Sequence, residues 1–99
     1  MSDIKTLAKA FKALSNPNRL QIYVQVMKHH QEQRSADFES GCCLADFMSC
    51  LNVGAPTVSH HLKELVNADL ITVERNGKYV NCFLNESMQK KLQAFLQDT

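Results

Sequence analysis

Hydrophobic residues recur every three or four positions through most of the chain. The first stripe contains Ile4, Leu7, Phe11 and Leu14, the spacing of one face of an amphipathic helix. The same spacing predicts five helices, over residues 2–14, 17–30, 42 or 43 to 51, 56–68 and after 85. Apolar and polar residues alternate over 70–74 and 78–84, which predicts two strands. We therefore expect a mainly α fold with one β-hairpin, in the order α-α-α-α-β-β-α.

Capping residues set the expected helix ends. Ser15 or Asn16 can cap the second helix, and Pro17 fits its first turn, where a missing N–H costs nothing. Asn85 can cap the last helix in the same way. The polar segment 31–41 is predicted to be a loop or a frayed helix end.

The third and fourth helices are separated by residues 52–54, and the fourth has Pro56 in its first turn. Two helices joined by a short glycine-containing turn are typical of a helix-turn-helix. Asn76-Gly77 lies between the two strands, and both residues tolerate the positive φ of a tight hairpin turn. The sequence therefore predicts a winged helix-turn-helix, a fold that enters a DNA groove.

The fourth helix has an apolar face and a hydrogen-bonding surface. Val58, Leu62 and Leu65 share the apolar face. We expect polar side chains elsewhere on this helix and on the hairpin to contact DNA: Thr57, Ser59, His60, His61, Lys63, Arg75, Asn76 and Lys78. Such groups hydrogen-bond base edges or phosphates. Each segment alone would suit a solvated helix or an ordinary hairpin, but their order along the chain favours DNA binding.

Composition narrows the function without deciding it. A chain of 99 residues suits one domain, 1–99, and its net charge of +1 argues against binding DNA by charge alone. Clustering of Arg19, Lys63, Arg75 and Lys78 on one face would resolve that conflict. We find no secretion signal and no membrane-spanning run, so we expect a cytoplasmic protein without a membrane partner.

The first and last helices carry apolar stripes that a small helix-turn-helix core covers only in part. We expect these terminal helices to form the interface of a symmetric homodimer. The alternative is that both helices simply pack on their own chain.

Four cysteines are the candidate sensing groups, and without a secretion signal we expect reduced thiols. Cys42 and Cys43 lie at the predicted start of the third helix, where the dipole stabilises a thiolate. They are candidate sensor thiols for a soft metal or metalloid ion, or for an electrophile, and packing roles are equally open. We expect Cys50 and Cys82 to be buried apolar residues, because Cys82 alternates with core positions of its strand.

Two neighbouring features could add ligands to such a site. His29-His30 ends the second helix near the start of the third, and Asp46 follows the adjacent cysteines by about one turn. A solvated helix end and a surface carboxylate explain these residues at least as well.

Three segments resemble the ArsR/SmtB metalloregulator family, and the resemblance spans nearly the whole chain. They are residues 11–20, residues 58–65, and Leu70-Ile71 through Arg75-Asn76-Gly77-Lys78. The resemblance implies a homodimeric winged-helix repressor, dimerised through its terminal helices, that leaves an operator palindrome when an inducer binds. Inducers across the family include arsenite, zinc, cadmium, lead, nickel, copper and reactive sulfur species.

The family's sensor motifs match poorly. Arsenite and cadmium sensors carry a pattern like Cys-Val-Cys-Asp-Leu-Cys, where this chain has Cys43-Leu44-Ala45-Asp46-Phe47-Met48 and keeps only the first cysteine. Zinc sensors place Asp and His pairs on the last helix, but residues 86–99 contain no histidine. The resemblance therefore does not carry over an inducer.

Four functions remain to be weighed, and the leading one is a repressor with thiol-based sensing. The first alternative is a DNA-binding regulator with structural cysteines and no small-molecule inducer. A thiol enzyme or metal carrier would need an exposed Cys-X-X-Cys or a nucleophile–base pair, and the chain has no Cys-X-X-Cys, so we expect no enzyme. A winged helix used only for protein contact would bind DNA weakly and without sequence preference.

Overall fold

The structure is a computed structural model, and it describes residues 2–32, 42–76 and 79–98. Within these ranges the elements are α1 (Ser2–Leu14), α2 (Pro17–Glu32), β1 (Cys42–Cys43), α3 (Leu44–Leu51), α4 (Ala55–Asn67), β2 (Ile71–Asn76), β3 (Tyr79–Leu84) and α5 (Glu86–Asp98). The predicted mainly helical fold with a hairpin is confirmed. One short strand, β1, was not predicted.

Asn16 starts α2. Its Oδ1 accepts hydrogen bonds from the backbone N–H groups of Asn18 at 2.9 Å and Arg19 at 3.2 Å. These bonds satisfy donors that the first helical turn leaves without partners. The Ser15 hydroxyl, the other candidate cap, instead donates to the carbonyl of Lys12 at 2.6 Å. Of the two predicted candidates, Asn16 is therefore the cap.

The strands form one antiparallel sheet in the order β1-β3-β2. The hairpin register runs from Ile71 opposite Leu84 to Asn76 opposite Tyr79. The connecting residues, 77–78, lie outside the described part of the chain. β2 ends at Asn76, two residues after the predicted end of the first strand, and β3 begins at Tyr79, one residue after the predicted start of the second.

The third helix was predicted to start at residue 42 or 43, and this start is wrong. Cys42 pairs with Cys82 and Cys43 with Asn81, so both cysteines belong to the sheet, and α3 begins only at Leu44. A strand of two residues is too short to show an alternating pattern, so the local sequence does not reveal it. Its hydrogen bonds come from β3, which is distant along the chain.

The core lies where α1, α2, α4 and α5 meet the sheet and α3. Its largest fully buried side chains are Phe47, Ile22, Leu65, Leu70, Ile71, Val26, Val58 and Cys82. Within the described part of the chain, the five helices and the strands β2 and β3 all contribute side chains to one apolar cluster.

Asn85 joins the end of α4 to the start of α5. Its Oδ1 accepts from the backbone N–H of Met88 at 3.3 Å, which confirms the predicted cap. Its Nδ2 donates to the carbonyl of Asp69 at 2.8 Å, and its backbone N–H donates to the carbonyl of Leu70 at 3.2 Å. Asp69 has a φ of 61°, a left-handed conformation that Asp tolerates better than most residues. One asparagine thus fixes the corner from which the hairpin leaves the helices.

Candidate nucleic-acid interface

The turn between α3 and α4 orients the second helix of the helix-turn-helix. Asn52 follows the last residue of α3 with a φ of 57°, and its N–H donates to the carbonyl of Met48 at 2.9 Å. Asparagine tolerates this left-handed conformation, so the chain can reverse within a few residues. Gly54 is the extended N-cap of α4, and Pro56 lies in its first turn. The predicted helix-turn-helix is therefore present.

α4 has one buried face and one polar exposed side. The predicted apolar face of Val58, Leu62 and Leu65 is confirmed, since all three are buried. Of the five predicted DNA contacts on α4, four have exposed side chains: Thr57, Ser59, His60 and Lys63. Hydrogen-bonding groups therefore project from this helix to the outside without disturbing its packing.

His61 lies on the other side of the helix. It is only 7% exposed, so the expectation that its side chain lies on the surface is wrong. It follows Val58 by three positions and precedes Leu65 by four, which places it within the buried stripe. The spacing that identified the apolar face therefore also places His61 on it. We expected His61 at the surface only because histidine is a polar residue.

The surroundings of His61 favour the neutral imidazole. Burial lowers the pKa of His61, and the charges of Arg19 and His60 lower this pKa further. His61 Nδ1 and Tyr23 Oη are buried and have no protein hydrogen-bond partner among the described residues. Arg19 is held nearby, because its Nε donates to the carbonyl of Ala13 at 2.6 Å. A proton on His61 would therefore add a charge to a buried site that already faces a cation.

The hairpin is described only in part. Arg75 is exposed on β2, opposite Val80 of β3. Asn76 ends β2, but its side chain and all of Lys78 lie outside the described structure. The predicted contacts of these wing residues with DNA stay predictions. Arg19, the fourth member of the predicted basic cluster, is half-buried and bonded within the chain.

The structure describes the side chain of one of the four cysteines, Cys82. Cys82 is 1% exposed, which confirms its predicted place in the core. The side chains of Cys42, Cys43 and Cys50 lie outside the described structure. Cys42 and Cys43 precede α3 rather than beginning it, so they are not residues of its first turn. Their sensor role stays a prediction.

No metal centre is formed by the described residues, among which no group of three or more His, Cys, Asp or Glu side chains could hold an ion. His30, considered above as a possible ligand, lies with its Nε2 2.7 Å from Oε1 of Glu86. This contact joins the last turn of α2 to the first turn of α5. Asp46, a further possible ligand, has a side chain outside the described part.

α1 and α5 leave apolar groups at the surface. Ile4 is 60% exposed, Phe11 38% and Leu96 64%. The ring centroids of Phe11 and Phe95 are 5.8 Å apart, so the two helices are joined directly beside this surface. No helix among the described residues is long and apolar enough to cross a membrane.

A winged helix-turn-helix whose second helix exposes a polar side defines a class of DNA-binding transcription regulators rather than enzymes. Residues 38–73 match the model of the arsR family of bacterial regulatory proteins. The uncharacterized HTH-type transcriptional regulator YbzH of Bacillus subtilis is 36% identical over 94 residues, covering 90% of this chain and 93% of that protein. The chain is a transcriptional regulator of the ArsR family.

Two further similarities are to a repressor and to a solved structure. The arsenical resistance operon repressor of Staphylococcus xylosus is 32% identical over 73 residues, which cover 74% of this chain and 60% of that protein. The solution structure of Mb0332 from Mycobacterium bovis is described as a homodimeric winged helix-turn-helix DNA-binding domain. It superposes with a TM-score of 0.70 over 97% of this chain and 79% of that one, at 20% identity. At that identity the likeness shows the fold alone.

Proposed function

We propose that this chain is a homodimeric repressor that binds operator DNA through α4 and the β2–β3 hairpin. It releases the operator when a soft metal, a metalloid, or a thiol-reactive sulfur compound or oxidant reacts with its cysteines. The observation that carries DNA binding is the polar exposed side of α4, which lies opposite a fully packed face. A helix held in this way can enter a major groove without losing its support.

The proposed contacts differ in role. Thr57, Ser59 and His60 contact base edges, because hydroxyls and imidazoles can both donate and accept hydrogen bonds there. The remaining proposed contacts bind phosphates or the minor groove: Lys63, Arg75, Asn76 and Lys78. His61 supports this surface from inside by packing α4 on the core.

The exposed apolar residues of α1 and α5 support the homodimer. Ile4, Phe11 and Leu96 are large side chains that water solvates poorly, and they lie on two helices joined by the Phe11–Phe95 contact. A second copy of the chain would cover them through the same surface on both partners. The Mycobacterium bovis domain with this fold is described as homodimeric, which supports a dimer.

Two observations support sensing through the cysteines. The name of the Staphylococcus xylosus relative associates a repressor of this family with arsenicals. In addition, β1 directly precedes α3, so Cys42 and Cys43 are adjacent in sequence to the helix-turn-helix. A ligand or covalent change at β1 would act where the DNA-binding unit begins.

DNA binding is tested by fluorescence anisotropy with DNA from upstream of the protein's own gene and with random DNA. Replacing Ser59 with Ala should weaken specific binding by about 0.5–1.5 kcal/mol, the net contribution of one hydrogen bond, and leave random binding nearly unchanged. Lys63→Gln should weaken both and reduce the slope of log affinity against log salt by about 1. Equal losses on both DNAs for Ser59→Ala would remove it from the base contacts. Thr72 is exposed on β2 and is not a proposed contact, so Thr72→Ala is the control and should leave both affinities unchanged.

Release is tested by titrating the reduced protein–operator complex with arsenite, zinc, cadmium and a polysulfide. The matched variant replaces Cys42 and Cys43 with Ser. Release by one agent, lost in this variant, supports the proposal. Binding that none of the agents disturbs contradicts the sensing half and leaves a regulator whose cysteines are structural.

A further inference from the structure

Cys82 lies in β3, the central strand of the sheet, and is 1% exposed. β1 pairs with this strand so that Cys42 is directly opposite Cys82, whereas Cys43 is opposite Asn81. The backbone thus gives Cys42 a thiol-bearing residue as its cross-strand neighbour. The cross-strand neighbour of Cys43 is instead Asn81, which carries an amide.

This register suits a disulfide. Directly opposed residues of an antiparallel pair have Cα atoms about 4.5–5.5 Å apart, within the range of about 4.4–6.8 Å found across disulfides. Opposed residues are also neighbours on one face of a sheet, whereas consecutive residues of a strand alternate between faces. We propose that Cys42 and Cys82 form a reversible disulfide when the protein is oxidised, and that Cys43 does not take part.

The chemistry balances with a hydroperoxide as the oxidant. The Cys42 thiolate attacks the O–O bond of hydrogen peroxide, forming an S–O bond and, after protonation of the leaving hydroxide, one water. The Cys82 thiol then displaces the sulfenic oxygen, so that an S–S bond forms, the S–O bond breaks and a second water leaves. Two thiols lose two electrons, and one peroxide gains them. Because Cys82 is buried, we assign it the second step.

The bond would join two parts of the DNA-binding unit. β1 directly precedes α3, the first helix of the helix-turn-helix, and β3 is one strand of the hairpin. A disulfide between them would covalently link the start of the helix-turn-helix to the wing. A regulatory effect of this link rests on the proposed function, whereas the disulfide itself does not.

The disulfide is tested by treating the reduced protein with hydrogen peroxide, alkylating the remaining thiols and mapping peptides without reduction. Trypsin places Cys42, Cys43 and Cys50 in the peptide 35–63 and Cys82 in the peptide 79–90. A second cleavage before Asp46 separates the first two cysteines from Cys50. We expect 79–90 to be linked to the piece that contains Cys42, within a chain of monomer mass.

Single variants decide between the adjacent cysteines. The link should persist in Cys43→Ser, the matched control, and disappear in Cys42→Ser. Cys82→Ala should also abolish it, and Ala is chosen because Ser would bury a hydroxyl. If that variant fails to fold, the peptide maps of the wild type and of Cys42→Ser still show whether Cys42 is linked to Cys82. A link through Cys43 or Cys50, a link only between chains, or alkylation of every thiol overturns the proposal.

Operator binding of the same oxidised samples separates the two proposals. A Cys42–Cys82 link without loss of DNA affinity supports the disulfide and contradicts oxidant sensing. Release of the oxidised wild-type protein without any link to Cys82 overturns the disulfide and leaves the proposed repressor in place.

Discussion

The exposed side of α4 and the exposed side of the α1–α5 pair arise from the same helical periodicity but leave different chemistry at the surface. α4 buries its apolar stripe and exposes groups such as Ser59 and Lys63. α1 and α5 bury part of theirs and still expose Ile4, Phe11 and Leu96. Apart from Val66, the large apolar side chains of α4 are buried within one chain, whereas those of the terminal helices are covered only in part. A polar surface suits DNA, and an uncovered apolar one suits a second copy of the chain.

The largest effect is expected where α4 meets the core. Leu65 is fully buried, so Leu65→Ala should lower the free energy of unfolding by about 2–5 kcal/mol through lost contacts and a residual cavity. Val66, the next residue, is 36% exposed, and Val66→Ala should change stability by less than about 0.5 kcal/mol. Urea unfolding of both variants measures the difference. Similar losses at the two positions would mean that α4 is not divided into two faces.

The α1–α5 surface should respond in its assembly instead. Leu96→Glu should weaken dimerisation at least about tenfold, because burying a leucine at an interface contributes about 1.5–3 kcal/mol. Gln97→Glu adds the same charge to the adjacent exposed position and should leave the dimer intact. Sedimentation equilibrium measures both. A monomeric wild-type chain, or equal weakening by both variants, would contradict the assignment of this surface to a second copy.

Asn85 connects the two regions, and its removal should have a smaller effect. Asn85→Ala loses the cap on Met88 and the bond to the carbonyl of Asp69, which should cost about 0.5–2 kcal/mol of stability. Ser87 is exposed in the first turn of α5, so Ser87→Ala is the control and should be nearly neutral. Thermal unfolding of the two variants measures both changes in stability. An unchanged Asn85→Ala would show that the corner is held by packing alone.

The smallest effect is a pH dependence from His61. Its folded-state pKa lies below the unfolded value of about 6.5, so the unfolded chain binds a proton more readily. Stability should therefore fall as the pH drops through about 6.5 and stop falling below the folded-state pKa. His61→Gln should remove this component from a pH series of unfolding measurements. His60→Gln, on the exposed side, should retain most of it, because burial of His61 is the main cause. A wild-type slope in His61→Gln would assign the dependence to another group.

The features that were predicted correctly from the sequence are those that depend on residues close together along the chain. The stripe of Val58, Leu62 and Leu65 identified the buried face of α4, and Asn16 and Asn85 were expected caps. Caps and stripes depend on residues three or four positions apart, which a single segment contains. The polar character of His61 hid its burial, although its spacing placed it in the stripe.

By itself, the sequence determined the helices, the hairpin and the polar side of the second helix of the helix-turn-helix, because periodicity and capping are properties of neighbouring residues. Only the tertiary structure decided that Cys42 and Cys43 form a strand, that Cys42 faces Cys82 across the sheet, and that α2 and α5 meet through His30 and Glu86. The physical reason is that these contacts join segments far apart along the chain. Their partners are selected by how the whole core packs, which no local pattern records.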